Sequence, residues 1–232
     1  MPKVVDHDQR REELARSVWA VVARAGVEGA TVRAVAAEAG WSMGALRHYF
    51  ATQDGLLRFA LEVMLRRTPE RLQARLATGR GGLELAQGLL EELLPLDQER
   101  LGEVLVWLAF LGRARVDASL DDLRQTAWRG ERYVSRGAVA ELAGCPWPAD
   151  LVAPLPDGRL EAEAAELHTF VDGLALQGAT FREELPPQRV RHLLRRRLET
   201  LESALRDAAP LDAVPPDAPL DDAPPDTPRE DG

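Results

Sequence analysis

The chain has 232 residues, 29% of them charged and only 5% aromatic, and carries a net charge of −9. It is rich in Ala, Leu, Arg and Glu and lacks long β-branched runs, the balance of an all-α protein built from amphipathic helices. No stretch of 18 uncharged apolar residues offers a membrane span, the N-terminus (MPKVVDHDQRREEL) has no apolar leader, and the lone Cys145 permits no intrachain disulfide; a cytoplasmic protein is expected.

In chain order, the first helix is predicted from about Asp8 to Ala25, with Leu14, Val18, Val21 and Val22 at helical spacing and a stop at Gly26. Asp6 with Gln9 fits a capping box at its start. Two short helices follow, Val32–Ala39 and Met43–Tyr49, then a longer one from Gln53 to about Ala77. Further helical stretches are read at about 81–94, 98–115 and 118–143. The Pro-rich break 144–158 separates them from two last helices, about 159–181 and 187–206. Beyond these, 207–232 is dominated by Pro and Asp. Eight acids against Arg229 give this segment −7 of the total charge, leaving the rest of the chain near neutral. It has too little apolar surface to offset its ordering entropy and reads as a disordered tail. Three regions are therefore expected: 1–52, 53–207 and the tail 208–232.

The informative stretch is TVRAVAAEAGWSMGALRHYFATQDGLL, residues 31–57. Thr31 can cap the first short helix, Gly40 can supply the left-handed residue that ends it, and Ser42 can cap the second. Two short helices about a Gly-containing turn of roughly three residues are the helix-turn-helix layout. The second helix would lie in the major groove of double-stranded DNA. Ser42, Met43, Ala45 and Arg47 would then reach base edges. Arg47 suits guanine, the Ala45 methyl suits thymine, and Gly44 permits close backbone approach. His48 and Tyr49 are placed for phosphate, as are Thr31 and Arg33 on the first helix and Thr52 and Gln53 at the start of the next.

Ala36, Ala39, Gly40, Trp41, Ser42, Gly44, Ala45, Leu46, Tyr49, Phe50, Thr52, Leu56 and Leu57 together resemble the TetR family of bacterial regulators, densely over about 50 residues. "LRHYF" together with "VDGLALQG" (171–178) is most similar to its betaine/choline-type branch. Arg47 departs from the Tyr of many members, and Gln53 from a Lys that touches phosphate.

The resemblance implies an N-terminal three-helix DNA-binding domain, a helical body that binds an unknown small effector, and last helices that pair across a two-fold axis. Independently, Val190, Leu194, Leu198, Leu201 and Leu205 form an apolar stripe, and so do Leu167, Val171, Leu174, Ala175 and Gly178. Both stripes are expected at a four-helix homodimer interface. Trp107, Phe110 and Leu111, with Trp128, Tyr133 and Phe170, are candidates for the effector pocket, and with Glu103 or Asp172 they could cage a cation. His168 and Asp172 share a helix face but lack a third ligand by spacing, so no metal is expected. No phosphate loop, nucleophile elbow or catalytic carboxylate pair points to an enzyme or a cofactor.

The leading expectation is a repressor released from a palindromic operator by an effector. An activator, an effector-independent regulator, or a helical ligand-binding or catalytic protein with a coincidental motif stay open.

Overall fold

The computed structural model describes residues 7–207, apart from the side chains of His7 and His48. Asp6 and the acidic segment 208–232, on which a cap and a disordered tail were placed, lie outside the described residues. Within them the fold is all-helical, with no strand. The helices are α1 (His7–Gly29), α2 (Val32–Ala39), α3 (Met43–Tyr49), α4 (Gln53–Leu76), α5 (Gly82–Glu91), α6 (Gln98–Ala114), α7 (Asp121–Ala143), α8 (Gly158–Thr180) and α9 (Pro187–Asp207). A single 3-10 turn, Ala118–Leu120, opens α7.

Local chemistry sets most of these boundaries. In α1 the helical path breaks at Gly26, whose φ of 72° only glycine adopts without strain. Asp97 and Asp157 accept backbone N–H bonds at the starts of α6 and α8. Helix α5 ends three residues earlier than its apolar pattern predicts, because the turn Glu92–Leu94 runs straight into Pro95.

Two large cores organise the helices. The first joins α1, α2 and α3 to the N-terminal half of α4 and to α6, through Val18, Trp19, Val22, Val35, Leu46, Leu56, Phe59, Val106 and Phe110. At its centre α1 and α6 cross almost backbone to backbone: a Cβ on Gly102 would lie 2.3 Å from the Trp19 carbonyl oxygen. The helix-turn-helix is thus tied to α6 through α1, on which α2 packs. The second core joins α5, α7, α8 and α9. The Pro-rich break folds back on it. The Trp147 ring covers Gly137, and its indole N–H donates to Glu141 at 2.7 Å.

This second core corrects the expected dimer interface. Leu167, Val171, Leu174 and Gly178 of α8 and Val190, Leu194, Leu198 and Leu201 of α9 are buried within one protomer, and Ala175 is half-buried. Amphipathic periodicity shows that a face is covered but not by what, and here α5 and α7 of the same chain cover it. The faces of α8 and α9 left outside carry Ala162, Glu166, Thr169, Leu176 and Thr180, and Arg196, Thr200, Ser203 and Ala204.

Candidate DNA-binding helix and ligand cavities

The α2–α3 unit is held by its own side chains. The Thr31 hydroxyl accepts from the Ala34 N–H at 3.2 Å, and Ser42 accepts from Ala45 at 3.1 Å. Between them Gly40 turns at φ 67°, and the Trp41 N–H bonds back to Ala36 at 2.9 Å. Leu46 is fully buried and Phe50 packs on Phe59, so α3 is pinned by one edge. Its other side is open: Ser42, Gly44, Ala45, Arg47 and Tyr49 are exposed, and α3 contains no acidic residue. Tyr49 lies edge-on to Trp41, their ring centres 5.9 Å apart. Thr31, Arg33 and Thr52 are exposed alongside, Thr52 capping α4 by accepting from Gly55 at 3.1 Å.

Two residues expected at DNA are used differently. Met43 is half-buried and packs on the first core, so its thioether faces inward. The Gln53 amide donates to the Val27 carbonyl and ties the start of α4 to the end of α1. That bond uses one of the two amide N–H groups and directs the side chain toward α1. His48 keeps its place on α3, but its side chain lies outside the described residues.

Two cavities in the body meet at Trp107. The first, of about 370 Å³, lies between α4, α6 and α7 and is lined mainly by apolar groups, among them Met64, Leu65, Trp107, Tyr133, Trp147 and Leu151. Its polar floor is a buried ion-pair network that sequence reasoning missed. Glu92 meets three guanidinium groups: Arg71 at 3.0 Å, Arg75 at 2.7 Å and Arg100 at 2.5 Å. Burial alone would raise the Glu92 carboxyl, but the bonds from Arg100 and Arg75 outweigh it and hold the carboxyl below the usual range. Arg71 also grips Glu103 through both carboxylate oxygens, at 2.9 and 3.0 Å. There burial wins, and the Glu103 carboxyl is raised despite Arg71. The recurrence of Arg67, Arg71 and Arg75 every four residues along α4 was the signal available for this network.

The second cavity, of about 530 Å³, lies between α6, α7 and α8 and is lined by Trp107, Leu111, Trp128, Glu131 and Asp172 among others. Of the predicted pocket residues, Glu103, Trp107 and Tyr133 line the first cavity, and Trp107, Leu111 and Trp128 the second. Phe110 and Phe170 line neither: Phe110 stacks on Trp107 within the first core, and Phe170 packs on the second. Glu103 is already paired with Arg71, which removes it as a counter-ion for a caged cation.

Known proteins match along both halves of the chain. The family profile "Bacterial regulatory proteins, tetR family" matches residues 19–59, which hold α2 and α3. The profile "BetI-type transcriptional repressor, C-terminal" matches residues 82–203. The chain belongs to the TetR family. It is a DNA-binding transcription regulator whose body is of the BetI type. Among relatives, this TetR-family chain is 33% identical to the HTH-type transcriptional regulator PksA of Bacillus subtilis over 201 residues, 87% of this chain and 94% of that one. It is 28% identical to the regulator BetI of Burkholderia ambifaria over 180 residues, 77% of this chain and 87% of that one. Among solved structures, a transcriptional regulator from Rhodococcus sp. Rha1 superposes with a TM-score of 0.64 at 32% identity, covering 84% of this chain and 96% of that chain. The relatives are regulators rather than enzymes. No helix among the described residues is long and apolar enough to cross a membrane.

Proposed function

We propose that the protein is a homodimeric repressor that grips a palindromic operator through α3 and is released when a largely apolar small molecule enters the α4–α6–α7 cavity. The observation that carries this reading is the course of α4. Its first half (Leu56, Phe59, Ala60, Val63) belongs to the core beneath the helix-turn-helix, and its second half (Met64, Leu65, Thr68, Leu72, Leu76) walls the cavity. A ligand that displaces the second half displaces the first. Release requires only that the ligand bind the DNA-incompetent position of α4 more tightly than the competent one. The cavity falls in the size range of small-molecule sites.

The dimer is assigned to the outward faces of α8 and α9, where the small residues Ala162, Thr169, Thr200, Ser203 and Ala204 permit close helix approach. Two-fold pairing would set two α3 helices for half-sites about 34–36 Å apart, or a multiple of that spacing. Arg47 and Ala45 are the residues assigned to base edges, and Thr31, Arg33, Tyr49 and Thr52 to the phosphates.

Gly130 tests the reading. It lines the first cavity, and a Cβ there meets no atom within 4 Å. Gly130→Leu should fill the space and leave the protein folded and bound to its operator, but deaf to the small molecules that release the parent protein from DNA. A Gly130→Leu variant released at the parent's ligand concentration would remove the cavity from the mechanism.

A further inference from the structure

Outside the features already used, one side chain has no explanation in packing. His168 on α8 is 3% exposed, and its Nε2 has no hydrogen-bond partner. Two carboxylates flank it, that of Glu131 on α7 at 3.6 Å and that of Asp172, one turn along α8, at 3.7 Å. Both distances are too long for a hydrogen bond. They are close to the separations that ligands keep when they share one metal ion. All three donor atoms lie within 4.8 Å of one another. A point roughly 2.4 Å from each therefore exists, within a few tenths of an ångström of zinc–nitrogen and zinc–oxygen bonds of about 2.0–2.2 Å.

We propose that Glu131, His168 and Asp172 form a binding site for a divalent transition-metal ion of the zinc class. Spacing along α8 supplies two of the ligands. The third comes from α7, 37 residues before His168, where only the packing of α7 on α8 brings it into range. The donor set, one imidazole nitrogen and two carboxylate oxygens with no thiolate, suits Zn²⁺, Co²⁺ or Ni²⁺ and not Cu⁺. His168 is enclosed, with its ring 5.7 Å from that of Trp128, whereas Asp172 is exposed. Glu131 and Asp172 also line the second cavity. An ion there has a route in, and its remaining coordination positions face that cavity, open to water or to an oxygen or nitrogen donor of a second ligand. Three protein ligands with open positions make a responsive site, not a closed structural one.

The test is calorimetric titration of the tag-free, chelator-stripped full-length protein with ZnCl₂, repeated with CoCl₂ while following the visible cobalt bands. The site predicts saturation at one ion per chain and cobalt bands of a four- or five-coordinate N,O environment. Asp172→Asn alters an exposed side chain, so the fold should survive. Asp172→Asn and Glu131→Gln should each weaken binding by about 100-fold or more, beyond the 10–100-fold typical of groups that only support ligands. His192→Ala, on the exposed side of α9, should change nothing. Absence of saturable binding by either ion overturns the proposal. So does binding of unaltered affinity in both carboxylate variants. Neither result bears on DNA binding, which the titration does not measure.

Discussion

Replacing Gly102 by Ala adds one methyl group at the point where α1 and α6 cross. The new Cβ would lie 2.3 Å from the Trp19 carbonyl oxygen and 2.6 Å from the Trp19 carbonyl carbon and Cβ. These atoms are backbone or the Cβ bonded to it, in a fully buried tryptophan, so they cannot swing aside. The helices must part by about 1 Å to restore ordinary contact, and overpacking of this kind costs about 1–3 kcal/mol or more. For a chain of this size that is a fall in Tm of about 2–12 °C. Gly112, near the C-terminal end of the same helix, supplies the control. A Cβ there meets nothing, so Gly112→Ala should recover about 0.5–1 kcal/mol of helix propensity and raise Tm. The assay is thermal unfolding by circular dichroism, with DNA affinity measured alongside, since this crossing seats the helix-turn-helix on the body. Equal Tm shifts in the two variants would refute the close crossing.

Arg47→Ala is expected to relax preference at one operator position and cost about 1–3 kcal/mol, seen by titrating an operator and its single-base variants. Gln53→Ala should lower stability by about 1 kcal/mol, through loss of its bond to the Val27 carbonyl, and leave the operator affinity of the folded protein unaltered; equally weakened binding to all sequences would return Gln53 to the phosphate. Glu92 has a lowered carboxyl pKa in the folded protein. Its contribution is therefore complete above the ordinary carboxylate range of about 4.3 and disappears as pH falls through the lowered value. Glu92→Gln should cost about 3–5 kcal/mol at neutral pH by breaking the buried network, and the gap from the parent should narrow in urea titrations carried into acid.

The helix-turn-helix was legible in the sequence because its determinants are local. Thr31, Gly40 and Ser42 each act within three or four residues, and the structure places all three where their chemistry predicts. Gly26 and the Pro-rich break 144–158 interrupt α1 and follow α7 for the same reason, whereas α5 stops three residues short of its apolar pattern. What escaped depends on partners far along the chain. Gln53 finds Val27, 26 residues before it. Arg71 finds Glu103, 32 residues on, and Glu131 meets His168 only through the packing of α7 on α8. The stripes of α8 and α9 were read correctly as apolar faces, but periodicity carries no label for the chain that covers them.

The account rests on α3 being the element that reads DNA. The most direct measurement is footprinting of the purified protein on the DNA flanking its own gene, across a salt titration, for the parent and Arg47→Ala side by side. The account predicts a protected palindrome, an affinity that falls steeply with salt, and lost discrimination at one symmetric pair of positions in the variant. Protection identical in sequence preference and strength for both proteins would contradict it.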